Sequence, residues 1–564
     1  MNKRTLIILA ILLILLLLPA VNPVSADCTG AYIGKDVSAD GTTIVARCMD
    51  IRPVDLKSCT YLYERVENTP GRYIEGENGF VWQLPDTTWK YTAVPDSKYA
   101  EKQLWGAGTA NEWGLAVSAT VTAYSCEEAL KADPNVKDGI AEGAIPNILT
   151  ASCKTAREAA ELLCRILDEK GTAEQNIIMM ADQNEAWYVE TYTGHQYAAV
   201  KLPADKAAVF GNEFMLETLS DYEEVITSPE LFSLPKKNGF AQYTKGELNL
   251  FNTYTGGLLT DPSNLRTWRG HQLLAPSTAG EYSTKTKYPL LFTPDEKVSI
   301  EDLIAVFRDR YEGTPYNPEV NGSGKIRVIA TETTCAVHFL QVYDNLPKEM
   351  AVVTWVCLSN AAYAPFIPLS NYSTELSPMY SNTVCIDGYD EETAYSHFKR
   401  LNALAAQDHI LYGPGVREYW EATERYLTSM YPEFIRKAAE LYESDKDAAL
   451  DMINSFNIAV QTQAVDDADK LFDKLMWYIV QNTNTVKYEF SSDTQTYSDK
   501  RLEEIPFEAD LDAAPYKELF EYNGEFPDAA DKTETTAPAS PLPFGITIAA
   551  LGTAGVFALC RRER

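Results

Sequence analysis

An unbroken apolar run of thirteen residues, Leu6 to Leu18, sets where the folding chain begins. Lys3 and Arg4 precede it, Pro19 ends it, and Val24-Ser25-Ala26 supplies a small-residue cleavage site, the pattern of an export signal. The run is shorter than the roughly 20 apolar residues a spanning helix needs. Cleavage after Ala26 leaves Asp27-Cys28-Thr29-Gly30 as the new N-terminus. Residues 1–26 are therefore expected to contribute nothing to the fold, which is expected to form outside the cytoplasmic membrane.

The opposite end carries a matching signal. Thr533 to Pro541 is a Thr/Pro/Ser stalk that cannot build a core, followed by an apolar stretch from Phe544 to Cys560 and by Arg561-Arg562-Glu563-Arg564. Seventeen apolar residues and a basic tail fit a membrane anchor or a surface-sorting tail. Between the ends, a net charge of −31 excludes nucleic acid as a partner, because phosphate binding needs a positive surface. An apolar content of 45% with 11% aromatic residues marks a globular chain. The five histidines are scattered and no C-x-x-C pair occurs, which leaves a zinc site without support.

Strand-like runs (Thr42 to Arg47, Ala186 to Thr191, Met350 to Leu358) are mixed in order with helical ones. Thr155 to Lys170 has helical spacing with Gly171 as its stop, and Ser299 with Asp302 opens a second helix over 299–311. Past residue 390 the pattern turns helical, over 397–407, 415–430, 432–444 and 447–476. The expected organisation is a signal over 1–26, a mixed catalytic domain over 27–390 and a mainly helical lobe over 391–490. An acidic tail and stalk over 491–542 and an anchor over 543–564 complete it.

The chemistry is expected at the new N-terminus. Once Asp27 is also lost, Cys28 carries a thiol and an α-amine on one residue. An α-amine with a pKa of about 8 can take the thiol proton directly or through water, so no separate catalytic histidine is required. The thiolate is the nucleophile. Nineteen residues on, Arg47-Cys48-Met49-Asp50 places a guanidinium that can lower the thiol pKa and a carboxylate that can orient the amine.

This opening resembles that of the N-terminal-nucleophile cysteine hydrolases, both the bile-salt and penicillin-V amidases and the cysteine dipeptidases. Four further segments are similar to the dipeptidase branch: Asn111 to Thr120, Trp187 to Thr191 with Gly194-His195, Asp309 to Tyr316, and Ser359 to Pro368. Together they cover about residues 28–480, in order. The resemblance implies an α+β fold, the four-layer αββα sandwich with a helical C-terminal extension. It implies hydrolysis of dipeptides or short peptides through an acyl-thioester on Cys28, with no metal or organic cofactor. By match of position, Asn212 is the expected oxyanion-hole donor and Arg266 a second active-site arginine. Asn111 and Tyr363 are candidate pocket residues, and His195 is expected to be structural. Cys48 and Met49 depart from the usual dipeptidase pattern, and Cys48 lies near enough in sequence to Cys59 for a disulfide.

Two alternatives stand beside this reading: an amidase or acyltransferase of the same superfamily acting on N-acyl compounds, and a surface-layer or binding protein that kept the fold without the activity. Dipeptide preference, the removal of Asp27 and assembly into a homo-oligomer are left open by the sequence.

Overall fold

In the computed structural model, residues 28–520 are described, apart from 52–56, 323–325, 385, 387, 483–485, 492 and 502–504. The segments expected to be an export signal and a C-terminal anchor lie outside the described residues. Among the described residues, no helix is long and apolar enough to cross a membrane.

Two antiparallel sheets form the centre. The first runs, in spatial order, Ala207–Phe210, Thr29–Ile33, Thr43–Asp50, Thr334–Val342, Val352–Leu358 and Ile367–Ser370. The second runs Val225–Thr227, Tyr197–Leu202, Ala186–Thr191, Asn176–Ala181, Ala116–Thr122, Gly106–Asn111, Tyr91–Pro95 and Tyr61–Tyr63. Strand periodicity shows how they stack, because alternate side chains point to opposite faces. Ile177, Met179 and Tyr188 of the second sheet share one buried cluster with Tyr32, Val45 and Leu340 of the first. Their neighbours Ile178, Met180, Trp187 and Val189 pack instead with Ile148, Leu163 and Leu167 from helices Ile145–Ser152 and Ala156–Lys170.

The outer face of the first sheet is covered in turn. Phe339 stacks on Phe366 (4.6 Å) and meets Phe307 of helix Ile300–Arg308 (5.2 Å). Trp355 packs edge-on against Tyr431 of helix Gly413–Ser444. Helices Asp261–Leu274, Ala394–Ala405 and Lys446–Asn482 complete this side. The layers are helix, sheet, sheet, helix, the α+β sandwich that the resemblance implied.

Local signals act as expected at several element ends. Thr155 caps its helix by accepting the Glu158 N–H (3.1 Å), and Gly171 follows the last turn with φ of 70°. Ser299 and Asp302 form a reciprocal capping box. Three expectations change. The two helices anticipated on either side of Pro432 are one, Gly413–Ser444, with the proline inside. An interior proline costs about 3 kcal/mol. Tyr431 on Trp355 and Phe434 on Phe456 (4.4 Å) bury large aromatic groups on both sides of it, each worth about 1.5–3 kcal/mol, and the packing wins. The last long helix of the expected helical lobe ends at Asn482, and the expected acidic tail holds secondary structure: Val486–Ser491 pairs antiparallel with Thr496–Arg501, and Ala514–Glu518 is a short helix. No disulfide joins Cys48 to Cys59; all eight described cysteines are free.

Candidate functional site

Cys28 sits immediately before strand Thr29–Ile33, which pairs with Thr43–Asp50 so that Thr29 lies opposite Cys48 and Gly30 opposite Arg47. Residues 47 and 50, three apart on a strand, leave opposite faces of it. That is the physical use of the R-x-x-D spacing. Arg47 points between the two sheets, where its Nη1 donates to Ala119 O (2.9 Å) and its Nη2 to the Cys28 thiol (3.2 Å). Asp50 lies on the other side and accepts from the Thr334 hydroxyl (2.5 Å), the Cys48 thiol (3.1 Å) and Arg327. The Cys48 sulfur in turn receives the Thr29 N–H (3.1 Å), so it links the start of the strand to the Asp50 carboxylate.

A second pair of side chains reaches Cys28 from its other neighbour. Helix Asp261–Leu274 lies close against Ala207–Phe210 because Gly211 and Gly270 leave room for it. A Cβ at Gly211 would come within 2.8 Å of Ser263 Cα, and one at Gly270 within 2.3 Å of Val209. This approach lets Arg266 donate to the Cys28 carbonyl and to Thr29 Oγ1 (3.1 Å). Its Nη2 also donates to Asn212 Oδ1 (2.9 Å), which leaves the Asn212 amide nitrogen as the donor end, and that nitrogen donates to Thr122 O (2.8 Å). Glu190, from the W-x-x-E segment, anchors the loop after Asn212: it accepts the Met215 and Leu216 N–H groups and the Tyr188 and Tyr192 hydroxyls.

Burial and Arg47 act on the thiol in opposite directions. Complete burial pushes the Cys28 thiol up from its ordinary value; Arg47 pulls it down, while Glu142 and Asp50 add to the rise. Arg47 does not prevail, because burial of the thiol outweighs it, and Glu142, in a 2.7 Å contact with Arg47 in which both side chains are buried, adds to the rise. Cys48 is driven well above its ordinary value by burial and then by Asp50, and stays a thiol.

Cys28, Arg47, Asp50, Asn212 and Arg266 thus come together. Asn111 and Tyr363 do not join them. Asn111 spends its amide nitrogen on Thr150 O and Cys153 O and its oxygen on the N–H groups of Trp113 and Leu115, which makes it a turn anchor. Tyr363 ends on His409 Nδ1 (2.5 Å), among groups from the C-terminal helices. His195 is half exposed and bonded to Asp133. Two contacting residues have no counterpart among the motif matches: Glu142, on Arg47, and Arg327, on Asp50. Each is a lone charge in an apolar run (Ile140-Ala141-Glu142-Gly143-Ala144 and Ile326-Arg327-Val328-Ile329), a pattern that marks a buried, paired ion.

Next to Arg47, His338 is fully buried and bonded through Nε2 to Ser118 Oγ across the sheets (2.8 Å). Burial, then the Arg47 charge, pushes it down to about 3, and burial pushes His271 down to about 4. In the unfolded chain both take a proton near pH 6.5. As pH falls from 6.5 toward 4 the unfolded state binds protons that the folded state refuses. Stability therefore falls with pH, by about 1.4 kcal/mol per pH unit for each histidine. Urea-unfolding midpoints at pH 7 and pH 5 check this; equal midpoints would contradict it.

The peptidase family C69 model matches residues 27–422. Probable dipeptidase B of Streptococcus pyogenes serotype M1 is 29% identical over 471 residues, 80% of this chain and 92% of that protein. A probable dipeptidase of Salmonella dublin is 32% identical over 348 residues, 60% of this chain and 80% of that protein. Among solved structures, a mutant conjugated bile acid hydrolase from Clostridium perfringens is similar at 13% identity, over 59% of this chain and 89% of that one, with a TM-score of 0.28. The family match begins one residue before the buried thiol and takes in every side chain described around it, so the chain belongs to peptidase family C69.

Proposed function

We propose that this chain is the precursor of an exported dipeptidase whose nucleophile is the thiol of Cys28, borne on the N-terminal residue of the mature protein. The observation that carries the reading is the placing of Cys28 at a strand end, with Arg47 on its sulfur and Asp50 on the other side of the neighbouring strand. The dipeptidase relatives support the substrate class. In the chain as encoded, the Cys28 nitrogen is tied up in the peptide bond to Asp27, and Cys28 is fully buried. Removal of residues 1–27 releases the amine.

In the mature protein the α-amine takes the thiol proton and becomes an ammonium beside Asp50. The thiolate adds to the peptide carbonyl, and the oxyanion that forms is met by Asn212 Nδ2, a donor whose loss costs ~10²–10³ in rate in comparable sites. The ammonium then gives its proton to the leaving amine as the C–N bond breaks. Water, deprotonated by the same amine, hydrolyses the thioester and restores the thiol. No metal or organic cofactor enters this sequence. The N-terminal signal supports export, and the apolar stretch with its basic tail supports retention at the surface.

Intact-mass measurement and N-terminal sequencing of the exported protein test the reading. The expected terminus is Cys28. An active protein that retains Asp27 would sink the mechanism, and one that cleaves N-acyl amino acids but no dipeptide would move the substrate class to the amidases.

A further inference from the structure

A narrow cleft adjoins the thiol on the side away from Asp50. Its walls are Met49, Trp105, Ala107, Ala119 and Pro146, and the Arg47–Glu142 ion pair completes the lining. Arg47 ties this cleft to the nucleophile. Its Nη2 is 3.2 Å from the Cys28 sulfur, and its Nη1 holds Ala119 O at 2.9 Å. Thr29 pairs with Cys48, so the next step along the antiparallel ladder sets Met49 opposite Cys28. Opposed residues share a face of the sheet, as do residues two apart. The thiol, Arg47 and Met49 therefore project together between the sheets.

Trp105 is held in this cleft against its backbone preference. Its φ is 58°, which a bulky side chain adopts only where the surroundings enforce it. Its N–H donates to Gly143 O (2.7 Å) and its Nε1 to Glu77 Oε2 (2.8 Å). The indole lies against Gly143, where a Cβ would come within 2.8 Å of Nε1. With Trp105 and Met49 in place, the empty volume is about 160 Å³, spread so thinly that no part of it holds a water molecule.

The geometry of attack says which part of a substrate meets this cleft. The scissile carbon then carries four groups: the sulfur, the oxygen, the leaving nitrogen and the α-carbon of the residue before the bond. The oxygen faces Asn212, which follows strand Ala207–Phe210 on one flank of Thr29–Ile33. The leaving nitrogen faces the released amine, drawn by Asp50 to the opposite face of the sheet from Arg47. The α-carbon takes the direction that remains, toward the other flank, where strand Thr43–Asp50 carries Arg47 and Met49.

We propose that this cleft, kept shut by Trp105 and Met49, is the filter for the residue before the scissile bond and confines it to glycine or alanine. This rests on the dipeptidase reading above and deepens it. A side chain longer than a methyl group meets the indole or the thioether, and a well-packed wall resists added methylenes.

The experiment measures kcat/KM for Ala-Ala, Leu-Ala and Ala-Leu with mature wild type, W105G and M49A. Glycine adopts a φ of 58° without strain, so W105G opens the cleft and relieves the backbone together. Wild type is expected to cleave Leu-Ala at least about tenfold less well than Ala-Ala. W105G is expected to raise the Leu-Ala to Ala-Ala ratio by about tenfold, and M49A to raise it in the same direction. The Ala-Leu to Ala-Ala ratio should not follow, because that leucine lies after the bond. A wild type that cleaves Leu-Ala as well as Ala-Ala overturns the proposal. So does a W105G enzyme that loses Leu-Ala and Ala-Ala by one factor, which is what a purely structural tryptophan would give. If wild type cleaves N-propanoylalanine and no dipeptide, the dipeptidase reading fails on its own. The cleft is then judged by N-(4-methylpentanoyl)alanine against N-propanoylalanine, with the same expected ratios. If neither class is cleaved, calorimetric binding of Ala-Ala and Leu-Ala to mature Cys28→Ser protein gives the comparison, and equal affinities overturn the proposal.

Discussion

Replacing Cys28 by serine in the mature protein is expected to lower kcat/KM for dipeptides on the order of 10⁴-fold, with the fold retained. Serine is close in size, keeps the N-terminal amine and can still accept the Arg47 hydrogen bond that the sulfur now accepts. What it lacks is acidity. An amine of pKa about 8 can take a proton from a thiol of about 8.5, but not usefully from an aliphatic hydroxyl. The site has little margin for a poorer nucleophile, because burial already raises the thiol and Glu142 offsets the help from Arg47. Cys48 cannot take over. It is fixed between the Thr29 N–H and the Asp50 carboxylate, and both burial and Asp50 hold it protonated. Steady-state kinetics on the purified mature variant, with thermal unfolding as the check on folding, decide the matter. Activity within tenfold of wild type would mean that the nucleophile lies elsewhere.

The sequence disclosed this site unevenly, for physical reasons. Cys28, Arg47 and Asp50 were legible because they lie at the start of one strand and on the next strand in sequence, paired with it antiparallel, so their spacing in the chain becomes their spacing in space. Asn212 and Arg266 were legible only through resemblance: they reach Cys28 across 184 and 238 residues of chain, on a strand end and a helix that local pattern cannot bring together. Glu142 and Arg327 were missed. They meet Arg47 and Asp50 from 95 and 277 residues away, and no motif announces them. Asn111 and Tyr363 show the converse. They sit in well-matched segments, yet their polar atoms are spent on a turn and on His409, and resemblance alone does not separate a structural anchor from a pocket wall. The α+β class followed from mixed strand and helix signals. The merging of two helices through Pro432 did not, because packing against Trp355 and Phe456 outweighs a local preference.

The largest effect on stability is expected from Arg308. It stands at the end of helix Ile300–Arg308, and its guanidinium makes two 2.8 Å contacts with Glu424 of helix Gly413–Ser444, both side chains being buried. The same group donates to Ala361 O (2.7 Å) and Ala364 O (3.2 Å), and Glu424 accepts the Phe366 N–H (3.0 Å). One ion pair therefore ties a helix packed on the first sheet, the Ser359-to-Pro368 segment and the C-terminal helices into one body. Arg308→Met leaves Glu424 as a buried charge without its counter-ion, which costs about 3–5 kcal/mol. Removing both charges, with Arg308→Met and Glu424→Leu together, is expected to cost less than the single change, because no ion is then stranded. The pH dependence gives a second sign. Burial already pushes Glu424 above its ordinary value despite Arg308. Without Arg308 it rises further, so the folded variant protonates more readily than its unfolded chain. The deficit of Arg308→Met relative to wild type should then shrink as pH falls from 8 to 5. The histidine contributions are common to both proteins and cancel in the difference. Urea unfolding of the three proteins at both pH values measures this directly. A single variant within about 1 kcal/mol of wild type at pH 8, or a double variant less stable than the single one, would show that the pair does not join the helices to the sheet.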